Sequence, residues 1–76
     1  MLSMEARKAL GDIIDTEYRY GGYLMKVTWY KGIDQAQVTI YEIGARLPLK
    51  WSRTMTKTQA NGAVQLFELM GFFEMA

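Results

Sequence analysis

A chain of 76 residues is one small domain, near the size at which a single core confers only marginal stability. Its composition is 50% hydrophobic and 13% aromatic, enough apolar surface to fold and too much for a disordered segment. It has no cysteine and no histidine, which excludes disulfide staples, thiolate zinc sites, a cysteine nucleophile and the commonest general base. The net charge of +1 conceals an asymmetry. Residues 1–17 sum to −2, residues 18–57 to +5 and residues 58–76 to −2, so a basic middle lies between acidic ends. No apolar run is long enough to span a bilayer, and the N-terminus lacks the apolar core of a signal peptide, so the expected location is cytoplasmic.

Taken in chain order, the first predicted element is a helix. Ser3 is a capping residue with Glu5 in the first turn, and Leu2, Ala6, Ala9, Leu10 and Ile13 recur at helical spacing. Gly11 is costly inside a helix, so the helix starting near residue 3 ends somewhere between residues 10 and 15.

The strongest pattern runs from Glu17 to Ile43. Gly21-Gly22 between Tyr20 and Tyr23 predicts a tight hairpin turn, and Gly32-Ile33 between Lys31 and Asp34 predicts a second turn of type II′. The resulting register sets Trp29 opposite Ala36, Val27 opposite Val38 and Met25 opposite Ile40 on one face. The other face pairs Tyr30 with Gln35, Thr28 with Gln37, Lys26 with Thr39 and Leu24 with Tyr41. An apolar face backed by a polar one is what a half-buried antiparallel sheet requires. Tyr20–Tyr23, Tyr18–Met25 and Glu17–Lys26 extend the same scheme to an earlier strand.

Gly44 to Pro48 reads as a loop, and Leu49 to Met55 alternates again, with Leu49, Trp51 and Met55 toward the core. Arg53 shares that inward parity, which places this strand at an edge where a long side chain reaches solvent. Thr56 and Gln59 form a capping box for a last helix whose apolar stripe is Ala60, Ala63, Val64, Phe67 and Met70. Gly71 ends it, Phe72 folds back on Phe67, and Gly62 allows close approach to the sheet. The expected fold is α+β over residues 1–76. It is a two-layer sandwich in which an antiparallel meander of three to four strands carries both helices on one face.

Catalytic equipment is missing from this pattern. Ser3 and Ser52 have no histidine to activate them, and Lys50 and Ser52, both pointing outward on one strand, read as side chains facing water. Asp12, Asp15 and Glu17 lack the calcium-loop pattern and read as a solvated helix end. No enzyme activity, metal or cofactor is expected.

The outer sheet face is the surface that stands out. Lys26, Lys50, Arg19 and Arg53 suit phosphates, while Tyr30 and Tyr41 suit stacking on bases or packing on sugars. The first expectation is therefore a DNA- or RNA-binding domain using that basic, tyrosine-bearing face. The alternative is a protein-interaction module or inhibitor, of the accessory kind that phages and mobile elements encode, meeting an acidic protein surface. Phe73 and Met75 have no obvious internal place, and either cover the sheet end or form a homodimer seam.

Overall fold

A computed structural model describes residues 13–71, which form four strands and one helix. The strands are β1 (Ile13–Tyr20), β2 (Tyr23–Tyr30), β3 (Gln35–Glu42) and β4 (Leu49–Met55), followed by α1 (Lys57–Met70). They make one antiparallel sheet in the order β1-β2-β3-β4, a meander with β1 and β4 at its edges. The fold is α+β, with α1 packed on one face. The N-terminal helix expected near residues 3–12 and the Phe72 contact lie outside the described residues. From Ile13 onward the chain is strand, so no helix reaches residue 15. β1 also begins earlier than the alternation predicts, pairing Ile13 with Tyr30 and Ile14 with Trp29.

The register of the meander is the one the side-chain alternation predicts, from Tyr20↔Tyr23 and Glu17↔Lys26 to Met25↔Ile40, Val27↔Val38 and Trp29↔Ala36. The reason is that every odd shift would turn Met25, Val27, Val38 and Ile40 into water. All four are fully buried, together with Ala36, and they form the core with Ala60, Ala63 and Phe67 of the helix. Tyr18, Tyr23, Trp29 and Trp51 close its rim.

The first turn is the expected two-residue loop, and the second differs from expectation in type and length. Gly21 has φ 57° while Gly22 does not have positive φ, so the type II′ pattern sits at the first hairpin. Gly32 has no positive φ, and β2 and β3 are joined through the four residues Lys31–Asp34. The longer connection serves the helix: Asp34 Oδ1 accepts from the backbone N–H of Lys57 at 3.3 Å. It thereby supplies the negative charge that the first turn of α1 lacks.

The helix caps are as predicted. Thr56 Oγ1 accepts from the Gln59 N–H at 3.2 Å, and Gln59 Oε1 accepts from the Thr56 N–H at 3.1 Å. At the other end Gly71 takes the left-handed conformation, φ 67°, and donates its N–H to the Phe67 carbonyl. Ala60, Ala63, Val64 and Phe67 are buried at the spacing of one helix face. Met70, expected in that stripe, is 61% exposed, because the helix has by then run to the end of the sheet beside Tyr20. Gly62 is likewise not a point of close approach: a Cβ built there meets nothing within 4 Å.

β4 departs from regular pairing at one point. Ile40 pairs with Trp51 but Tyr41 pairs with Leu49, so Lys50 is the extra residue of a bulge. The bulge reverses the side of Leu49, which lies across from Tyr41 on the outer face and is 58% exposed, not in the core.

Candidate interaction surface

The side of the sheet away from α1 carries a network of short polar contacts. Thr28 Oγ1 donates to Asp15 Oδ1 at 2.7 Å, and Gln37 Nε2 donates to Ser52 Oγ at 3.2 Å. The Thr39 and Ser52 hydroxyls lie 3.1 Å apart. These groups bond one another across two strand pairs, β1–β2 and β3–β4, as hydroxyl and amide side chains in adjacent strands do. Ser52 is engaged in this network and Lys50 is turned to Glu42, so the two are not arranged as a Ser–Lys pair.

The predicted site residues separate into four environments. Arg19 and Lys26 lie on the outer face, but Asp15 and Glu17, on β1 with Arg19, point to the same side, Glu17 directly opposite Lys26. Two cations meet two carboxylates, so that face is not the basic surface of the molecule. Tyr41 lies on it half-buried, in a row that runs Leu24–Tyr41–Leu49 across three strands. Tyr30 shares the outer parity but is buried, 7% exposed, with its hydroxyl directed 3.4 Å to Gln37 Oε1. Lys50, at the bulge, extends its Nζ to 3.0 Å from Glu42 Oε1. Arg53 pairs with Val38 and so sits on the α1 side of the sheet, exposed at the β4 edge.

Positive charge instead gathers along the β4 edge and its flanks. Residues 43–57 contain Arg46, Lys50, Arg53 and Lys57 and no carboxylate. Glu42 beside Lys50 and Asp34 beside the start of α1 offset this only in part.

Apolar exposure is just as unevenly spread. Among the described residues the large exposed apolar side chains are Ile14 and six others: Tyr20, Ile43, Leu47, Leu49, Leu69 and Met70. All six lie at the end of the sandwich that holds the Gly21-Gly22 turn. The Ile43 N–H bonds the Gly22 carbonyl and the Glu42 N–H bonds the Pro48 carbonyl, which folds the β3–β4 connection over this end. Tyr20 meets Phe67 edge-on, 6.3 Å between ring centres, and lies against Gly71, which brings the last turn of α1 to the same place. Leu47 and Leu69 are both 77% exposed. Single exposed apolar residues are ordinary; these six share one end of the fold, Leu49 on the outer face and Tyr20 on the α1 side, with Arg46 and Lys50 nearby in the chain. Alternation along β4 points Leu49 to the core, and the bulge that turns it outward has no local sequence signal.

Among the described residues no three histidine, cysteine, aspartate or glutamate side chains are grouped to hold a metal ion. No described helix is long and apolar enough to cross a membrane. No family model matches the chain, and comparison with curated proteins and with solved structures likewise finds no match.

Proposed function

We propose that this chain is a non-catalytic protein-binding module whose contact surface is the apolar end of the sandwich and the basic β4 edge that adjoins it. The observation that carries the reading is the gathering of Tyr20, Ile43, Leu47, Leu49, Leu69 and Met70 at one end, next to Arg46 and Lys50. An apolar centre with a cationic border fits an acidic protein partner, with aliphatic and aromatic side chains supplying affinity and the charges supplying orientation. A nucleic-acid ligand would need cations and stacking rings on one face, whereas Tyr30 is buried, Lys50 pairs with Glu42, and Arg19 and Lys26 share their face with Asp15 and Glu17. Nucleic-acid binding remains the second reading, favoured by the four cations of residues 43–57.

The test is affinity capture from nuclease-treated extract, comparing the native chain with a Leu47→Ser, Leu49→Ser variant. Both leucines are exposed, so the variant stays folded, and the expected result is a stoichiometric protein lost by about tenfold or more in the variant. Anisotropy titrations against mixed-sequence DNA and RNA run alongside. Salt-sensitive binding below about 10⁻⁴ M that ignored both leucine substitutions would replace the protein reading with the nucleic-acid one.

A further inference from the structure

We infer that the free edge of β4 takes up an extended acidic segment of the partner by strand addition, with a carboxylate of that segment set beside Arg53. This rests on the protein-binding reading above and specifies how binding occurs. Among the described residues β4 pairs with β3 alone, so its other side presents a row of backbone donors and acceptors. Past the bulge, Trp51–Met55 pairs regularly with Ala36–Ile40, which keeps that row straight over five residues. Strand addition uses such a row for affinity and the alternating side chains for selectivity.

The devices on this edge discriminate by charge. Pro48, the bulge at Lys50 and the cations Lys50 and Arg53 are the features by which edge strands avoid pairing with their own kind. Two β4 edges would set like charges against each other. An acidic strand meets no such barrier. The Lys50–Glu42 pair is 41% and 40% exposed, and an exposed pair contributes only about 0–1 kcal/mol, so Lys50 is cheaply redirected to a partner carboxylate.

The alternation of β4 also sets what the segment must look like. On the α1 side it would lie beside Trp51 and Arg53, and on the outer side beside Ser52 and Thr54. The matching pattern is an apolar residue and an acidic residue two positions apart, with polar residues between. A second copy offering β1 fits less well. With both helices on one side of a continued sheet, Asp15 and Glu17 would fall on the face opposite Arg53. Such head-to-tail pairing makes a ring or an open filament in place of a closed pair.

The experiment uses the full chain, isotopically labelled, titrated with a capped synthetic peptide of about seven residues alternating threonine with valine or glutamate, matched to the length of β4. The expected result is binding in the range of about 10⁻⁵–10⁻⁴ M, with amide shifts concentrated in β4. A lysine-for-glutamate peptide, an N-methylated peptide and a Lys50→Glu, Arg53→Glu variant of the chain should each weaken it by about tenfold or more. Equal binding of the N-methylated peptide overturns strand addition. So does the absence of peptide binding up to about 1 mM in a chain whose protein capture still depends on Leu47 and Leu49, which leaves the protein-binding reading standing. If that capture also fails, both readings fall. Self-association lost in the Lys50→Glu, Arg53→Glu variant, or β4 shifts produced by oligonucleotides, would assign the edge to another occupant and overturn the inference.

Discussion

Two glycines of the same helix should respond to alanine in opposite directions. Gly71 closes α1 at φ 67°, and a Cβ built on it would stand 2.5 and 2.6 Å from two carbons of the Tyr20 ring. Alanine in the left-handed region costs about 1–2 kcal/mol. Relieving the clash means moving Tyr20 off Phe67, forfeiting an edge-to-face contact of about 0.5–1.5 kcal/mol. Gly71→Ala should therefore destabilise by about 2–3 kcal/mol, against a total of about 4–11 kcal/mol for a domain of this length. Gly62 lies in the middle of α1 with nothing within 4 Å of a new Cβ, so Gly62→Ala should stabilise by about 0.5–1 kcal/mol through helix propensity and reduced chain entropy. Urea unfolding followed by the fluorescence of Trp29 and Trp51 measures both, with the slope of the transition unchanged. The melting temperature of Gly71→Ala should fall by about 8–24 °C. Unfolding free energies for the two variants that agreed to within about 0.5 kcal/mol would refute the placement of Gly71 against Tyr20.

The same assay reads two further substitutions. Phe67 is the largest fully buried side chain among the described residues, and Phe67→Ala should cost about 3–5 kcal/mol, leaving the domain partly unfolded at room temperature. Thr56→Ala removes one half of the capping box and should cost about 1 kcal/mol, with Thr56→Ser recovering most of it; no loss in Thr56→Ala would contradict the cap.

Most of the meander was legible in the sequence because its rules are local. Period-two alternation from Tyr18 to Ile40 specifies register wherever one face is buried, and Gly21-Gly22 specifies the hairpin. The capping box at Thr56–Gln59 and the stop at Gly71 are likewise short-range chemistry. The first half of β1 was hidden, because Ile13-Ile14-Asp15-Thr16 has no alternation of its own. It is strand because β2 lies alongside, with Thr28 donating to Asp15 and the Trp29 ring N–H donating to Thr16. The candidate surface was the least legible part. The charge of residues 18–57 is a property of the chain, but the charge of a sheet face belongs to whichever strands pair. Because β1 extends back to Ile13, Asp15 joins Glu17, already opposite Lys26 in the register read from sequence, and the two carboxylates offset Arg19 and Lys26 on that face. One extra residue at Lys50 turns that lysine to Glu42 and sends Leu49 outward. The sequence by itself determined β2 and β3, their register and the ends of α1, since each depends on neighbours along the chain. Tertiary structure alone decided which charges and apolar groups share a surface, since that depends on neighbours across it.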